Sequence, residues 1–237
     1  MGQMTAKLRN PRKSVSRLSS DDRTNDILAA ARAVITEKGY ENTLLSDIAR
    51  RAGVVDGTIY RYFKNKRDLL VKVAEIWFAE QLRVDSQLTA IPGTQQKLRH
   101  LAWRTLTIIK REPVLARFML MELRPDPRYK GTPFFEMNRR FTHESLQVCR
   151  DAIANGEFVA DVSPNQLRDM LHGFIEHRTW AFLRGEGDID VDAEADAIAK
   201  VMYRGMRAAS EPPSNDLLAA IARLEDVTAR LQQPPTL

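Results

Sequence analysis

Eight consecutive residues, Asp56-Gly57-Thr58-Ile59-Tyr60-Arg61-Tyr62-Phe63, hold hydroxyls and a guanidinium suited to meeting an anionic surface. Wound as a helix, Ile59 and Phe63 fall four apart on one face and can anchor a core. Thr58, Arg61 and Tyr62 then point elsewhere and present hydroxyls and a guanidinium, which suit phosphate oxygens and base edges. Gly57 has no side chain to keep a phosphate away from the backbone. A helix this short, with three large polar side chains turned outward, buries too little to be mainly structural. The other reading of the pattern is a tight helical corner of an ordinary bundle.

Two more groupings invite a chemical reading. Asp169, His172 and Glu176 recur at i, i+3 and i+7, so one helix face offers three metal ligands, or else a solvated or interface patch. Cys149 has no CxxC partner and sits among apolar neighbours, so it reads as an inert core thiol rather than a sensor. There is no Walker loop, nucleophile elbow or HExxH motif, and the four histidines make no finger spacing. No catalytic residue, metal ligand or cofactor is therefore assigned.

The elements that would position residues 56–63 are helical throughout. Ile27, Ala31, Val34 and Ile35 recur at helical spacing over 20–38, with Asp21 and Asp22 in the favourable first turn and Gly39 as a stop. A short helix over 44–52 carries Leu45, Ile48, Ala49 and Ala52 inward, with Thr43 as its cap and Gly53 ending it. Gly53-Val54-Val55 then forms a three-residue turn into 56–63, and a longer helix runs from near Asn65 to Val84. Further helices are expected at 94–111, from Pro113 through Leu123, and at 134–154, 165–184 and 193–209. Pro212-Pro213 and Pro234-Pro235 bracket another at 215–232. Arg124–Pro133 reads as a loop. No alternating strand pattern or Asn-Gly hairpin signal is present, so the fold class is all-α.

Charge sharpens the reading. The 237 residues carry 36 Lys plus Arg against 31 Asp plus Glu, a formal net charge of +5. Lys7, Arg9, Arg12, Lys13 and Arg17 account for all of that excess, since residues 1–20 contain no acid. A flexible basic arm in front of three short helices suggests contact with a polyanion, the plainer alternative being a solvated tail. The apolar fraction of 43% supports a real core, and no apolar run approaches the roughly 18 residues that span a bilayer. A lone cysteine and the lack of an apolar leader fit a soluble, cytoplasmic protein.

Three short helices with a tight turn between the second and third form the helix-turn-helix layout. Gly39-Tyr40, Thr43, Asp47-Ile48-Ala49, Ala52-Gly53-Val54, the run Gly57 to Lys66 and Leu69-Leu70 together resemble the DNA-binding domain of TetR-type transcriptional regulators. The resemblance covers about residues 20–70. It implies that Ser46, Gly57, Thr58, Tyr60, Arg61 and Tyr62 face DNA and that Lys66 reaches a phosphate. Arg61 is the first candidate for reading a guanine edge. Family members commonly carry a small hydroxyl residue where Val55 stands and a polar or basic one where Asp56 stands. Asp56 can cap the recognition helix or accept from a cytosine amino group. Leu44 likewise replaces a common Thr.

The resemblance also implies a homodimer bound to a palindromic operator and a C-terminal domain that binds a small-molecule effector. Leu171, Ile175, Phe182, Ile198, Val201, Met202 and Met206 make apolar stripes on the last two long helices, where the family places a four-helix dimer interface. Gly173 and Gly205 would permit close helix approach. Trp103, Phe118, Phe141 and Phe174 can line a cavity or simply form core, with Glu122, His143 and Arg178 as polar anchors. Ile175-Glu176-His177 followed by Trp180 resembles acyl-CoA-responsive members of the family.

The expected organisation is a basic arm at 1–19, a helix-turn-helix domain at 20–66, an effector and dimerisation domain at 67–210 and a Pro-bracketed helix at 211–237. The expected function is a ligand-responsive repressor released by an apolar or amphipathic effector, with no membrane partner. A helical adaptor and a metal-dependent helical-bundle enzyme are the alternatives.

Overall fold

The computed structural model describes residues 20–84, 87–208, 220, 222–225 and 228. The basic arm at 1–19 and most of the expected 215–232 helix lie outside the described residues, although residues 222–225 are helical.

Among the described residues the order is α1 (Ser20–Asn42), α2 (Leu45–Arg51), α3 (Asp56–Tyr62), α4 (Lys66–Leu82), α5 (Thr94–Arg111), α6 (Pro113–Phe118), a π-helical turn (Met119–Leu123), α7 (Pro133–Ala154), α8 (Pro164–Leu183) and α9 (Val191–Met206). Short 3₁₀ turns occupy Leu88–Ala90 and Tyr129–Gly131, the latter inside the expected loop. Among the described residues the only β pairing is one isolated bridge, Phe158 with Arg207. The all-α class is what the periodicity required.

Contacts divide the chain into two compact units. Among the described residues one draws on 20–84, 105–141 and 179–189, and the other on 87–104, 142–178 and those from 190. The divisions fall inside α5, α7 and α8.

In the first unit α1 packs on α2, α4 and α6, and α2 packs on α3. Helices of seven residues do not persist alone in water, so tertiary burial must hold α2 and α3. Ile27, Ile35, Ile48, Ile59, Leu69 and Leu70 supply it, each with no exposed surface. Each such side chain contributes about 1.5–3 kcal/mol relative to leaving it in water.

Two turns set the angle between these helices. Gly39 breaks α1 at φ 78°, a left-handed conformation that only glycine adopts cheaply. At the end of α2, Gly53 adopts φ 65°; its N–H donates to the Arg50 carbonyl while the Val54 N–H donates to the Ala49 carbonyl. That pair of bonds satisfies the last carbonyls of α2 and turns the chain sharply into α3.

The caps differ from expectation. Thr43 is fully buried and its hydroxyl donates to the Gly39 carbonyl at 2.6 Å, filling the acceptor left open by the Gly39 break. It is therefore not the cap of α2, whose N-cap is Leu44 with no side-chain bond. The N-cap of α3 is Val55, again without a side-chain bond, which leaves Asp56 in the first turn rather than capping. Asn65 does cap α4, accepting from the Asp68 N–H at 2.8 Å.

The second unit has its own core, including Leu98, Leu101, Leu167, Leu171, Ile175 and Ile198. Arg99 joins α5 to α9 through Asp192 at 2.8 Å and Asp196. Phe158 packs against Tyr203 with ring centres 5.9 Å apart.

Candidate nucleic-acid interface

The faces of α3 separate by chemistry. Ile59 is wholly buried and Phe63 nearly so, while Tyr60 is 59% exposed and Arg61 and Gly57 are exposed. Thr58 and Tyr62 are half-buried, as is Ser46 on α2. Residues i and i+4 anchor the helix as their spacing predicts, and of the positions between them Tyr60 and Arg61 face out while Tyr62 is only half-exposed. The outward set offers hydroxyls, a guanidinium and a backbone open at Gly57, where a side chain's first carbon would meet nothing within 4 Å. Such groups can donate to phosphate oxygens and to the acceptor edges of purines.

Lys66 opens α4, four residues after the end of α3. Its ammonium lies 4.8 Å from the centre of the Tyr40 ring and 3.3 Å from the Glu41 carbonyl. Those contacts hold the cation at the end of α1. Lys38 and Arg50 both pair with Asp47, and the Lys38 hydrogen bond holds that carboxyl below its ordinary range. Arg51 pairs with Glu37. These cations are already engaged within the fold, whereas Arg61 has no such pairing to a described acid.

Two arginine nodes tie the helix-turn-helix to the helices that follow, and neither is visible in local sequence patterns. Arg32 on α1 donates to Glu80 on α4 at 3.0 Å and to Glu112, the residue before α6, at 2.6 Å. Arg67 in the first turn of α4 donates to the Glu122 main-chain carbonyl at 2.7 Å and to Asp126 at 3.0 Å, and its other Nη reaches Glu122 Oε2 at 3.3 Å. The Asp126 carboxyl lies well below the usual carboxylate range, held there chiefly by Arg128 and also by Arg67. The partners are 48 to 80 residues apart, so no local spacing announces them.

The remaining predicted residues fall as follows. Phe118 is buried against Tyr40 with ring centres 4.8 Å apart. Phe118, Glu122 and Phe182 line a pocket of about 300 Å³ with Tyr40, Arg117 and Met121. A second pocket of about 460 Å³ is lined by Arg67, Val71, Leu123, Asp126, Tyr129 and Phe134, among others, none of them in the predicted ligand set. Trp103, Phe141, His143, Phe174 and Arg178 line neither. Phe141 packs with Phe78, ring centres 5.3 Å apart, and Trp103 stacks near His100. His143 is exposed, Phe174 is half-buried and Arg178 donates to Glu194 at 2.8 Å.

Of the expected dimer stripe, Leu171, Ile175, Ile198 and Met202 are buried inside the protomer and offer no surface to a partner. Val201 is 58% exposed, and Phe182 and Met206 are half-buried. Met170, outside the expected stripe, is exposed too. Helical periodicity finds the apolar face but does not say whether its own core or a second chain covers it.

His172 Nε2 lies 2.8 Å from the buried Ser145 Oγ, and Asp169 pairs with Arg168. Among the described residues no three His, Cys, Asp or Glu side chains gather as a metal site. No helix among them is long and apolar enough to cross a membrane.

Known proteins agree with this geometry. Residues 27–73 match the family model "Bacterial regulatory proteins, tetR family". The fatty acid metabolism regulator protein of Bacillus subtilis (strain 168) is 25% identical over 181 residues, covering 76% of this chain and 93% of that protein. The crystal structure of FadR from Bacillus subtilis in complex with stearoyl-CoA has a TM-score of 0.64 at 24% identity, covering 77% of this chain and 99% of that one, a likeness of fold. A transcriptional regulator of the TetR/AcrR family from Thermobifida fusca YX-ER1 is 27% identical, with a TM-score of 0.59 over 79% of this chain and all of that one. Residues 27–73 thus carry the helix-turn-helix of the tetR family of bacterial regulatory proteins, and the chain is similar along most of its length to transcriptional regulators.

Proposed function

We propose that this chain represses transcription by reading a palindromic operator as a homodimer, through Ser46, Gly57, Thr58, Tyr60, Arg61, Tyr62 and Lys66. The observation that carries the reading is the division of α3 into a buried Ile59 and an outward Tyr60 and Arg61. On this reading residues 20–66 read DNA, and 67–210 bind the effector and form the dimer. Val201 supports a dimer surface on α9, being a large apolar side chain left in water by a single protomer. A dimer would hold two α3 helices about one DNA turn apart.

The effector we put forward is an amphipathic acyl compound. Support comes from the relative named for fatty acid metabolism and from the stearoyl-CoA in the Bacillus subtilis FadR structure. Arg32 and Arg67 give the mechanical connection: a shift of α6 or the π-turn would move Glu112 or Glu122 and so pull on α1 and α4. Coupling of this kind typically amounts to ~1–3 kcal/mol.

The test is to select duplexes from a random library with the full chain, then follow one by fluorescence anisotropy while titrating stearoyl-CoA. Salt-sensitive, sequence-selective binding that weakens roughly 5- to 150-fold on titration is expected for ~1–3 kcal/mol of coupling. Sequence-indifferent binding would overturn the operator reading. Operator binding unmoved by stearoyl-CoA, shorter acyl-CoAs or free fatty acids would overturn the effector class.

A further inference from the structure

Val55 stands immediately before α3, as its N-cap. Among the exposed large apolar side chains of the described residues it is the most exposed, at 74%. Valine is among the poorest N-cap residues, because it offers no oxygen to the first free amides of the helix. Here no side-chain cap bond forms, and the Val55 carbonyl alone receives the Thr58 N–H at 2.8 Å. The side chain thus neither caps α3 nor packs into the core. Ile48, Ile59 and Leu69 of the same unit are fully buried and the neighbouring Val54 is half-buried, while Leu44 at the head of α2 is 59% exposed.

A feature with no role inside the protomer, on the leading end of the recognition helix, points to what that end meets. In helix-turn-helix proteins the N-terminal residues of the second helix contact base edges in the major groove. Among base edges in that groove the thymine 5-methyl is the protruding apolar group, and the other groups by which base pairs are told apart there are donors or acceptors. An aliphatic side chain set against a donor or acceptor would leave it desolvated without a partner, which is unfavourable. We propose that Val55 is a specificity-determining residue that packs on the 5-methyl of one thymine in each operator half-site. This rests on the DNA-reading role of α3 given above and extends it to a position where the family commonly carries a hydroxyl.

Uracil differs from thymine by that methyl alone, so replacing thymines singly by deoxyuridine isolates the contact. The full-length wild type and Val55→Ser would be titrated against a wild-type-selected duplex and its single-deoxyuridine variants. Serine removes both γ-methyls and supplies a capping oxygen, so α3 is retained. In the wild type one thymine per half-site should show about fourfold weaker binding on removal of its methyl, the worth of one buried carbon. Val55→Ser should bind the thymine duplex about fourfold more weakly and be indifferent to the methyl at that position. Val55→Thr, which keeps one methyl, should fall between. Wild-type tolerance of every substitution, or the same sensitive position in Val55→Ser, overturns the proposal while leaving α3 as reader. Failure of the wild type to select any duplex overturns both.

Discussion

Arg67 donates to the main-chain carbonyl of Glu122 at 2.7 Å, joining the first turn of α4 to the π-helical turn across 55 residues of sequence. The bond is charge-assisted, and the acceptor is a carbonyl at the end of an irregular turn, where α-helical partners run short. Since α4 follows directly from the helix-turn-helix, this bond ties the π-turn to the helix that leaves α3.

Arg67→Ala should therefore destabilise the fold by about 1–2 kcal/mol after allowance for the partial exposure of the pair, or a few degrees in Tm. Glu122→Ala should cost less, because the main-chain carbonyl and Asp126 remain for Arg67. Differential scanning calorimetry of the two variants decides it. Equal destabilisation would place the weight on the carboxylate rather than the carbonyl.

The two faces of α3 should separate stability from affinity. Ile59→Ala removes a fully buried side chain and should cost roughly 2–5 kcal/mol in urea unfolding. Arg61→Ala should leave stability within about 0.5 kcal/mol and weaken operator binding by about 1–3 kcal/mol. Wild-type affinity in Arg61→Ala would remove that side chain from the reading set.

Asp126 gives a pH signature. Its folded carboxyl is depressed by Arg128 and Arg67, so its contribution is present above the ordinary carboxylate value of about 3.9. It fades as pH falls through that value toward the lower folded one. The stability gap between wild type and Asp126→Asn should be flat from about pH 7 to 5 and close below about pH 4. Urea midpoints across that range measure it, and a gap that stays constant to about pH 3 would contradict the arginine clamp.

Cys149 should behave as an inert core thiol. It is 1% exposed, and burial pushes its pKa up to about 11. The sign is opposite to that of Asp126: the contribution is complete below the unfolded thiol value of about 8.5 and fades as pH rises toward 11. Reaction with a disulfide reagent at about pH 8 should wait on unfolding and proceed promptly in urea. Fast labelling of the folded chain would refute the burial.

The five cations of residues 1–19 bear on affinity rather than fold. Removing them should weaken operator binding and flatten the log–log salt dependence by roughly 0.9 for each phosphate that is no longer neutralised. An unchanged slope in anisotropy titrations would exclude the arm from the complex.

Helix order and most boundaries were legible because buried stripes recur at 3.6 residues, and α5 falls on its expected residues, 94–111. What escaped has identifiable causes. Thr43 has a cap-forming side chain in a capping position, but its hydroxyl bonds instead to the carbonyl freed at Gly39. The π-turn sits within a run, Leu115 to Leu123, whose apolar pattern predicts an ordinary α-helix. Widening the turn buries Leu120 and leaves Met121 in water, where the periodic reading put Met119 inward. The arginine nodes and the inward turn of Leu171, Ile175, Ile198 and Met202 depend on tertiary placement, which no single-helix pattern encodes. On α3 the residue types were enough to sort Ile59 and Phe63 from Arg61, but Thr58 and Tyr62, read as outward, are half-buried, and the exposed Tyr60 entered only through the family resemblance.

The π-turn at Met119–Leu123 also bears on how the chain can change length. A π-turn holds one residue more than the α-turn that would bridge the same two ends. A single-residue deletion inside an α-helix rotates everything beyond it by about 100° and carries buried side chains off their face. At this turn a deletion can be absorbed by closure to an α-turn, leaving α6 and the start of the following loop in place. The segment that carries Glu122 is thus a site where the lineage can lose a residue without unmaking the core, and where the hold on Arg67 can be reset by indel rather than by substitution.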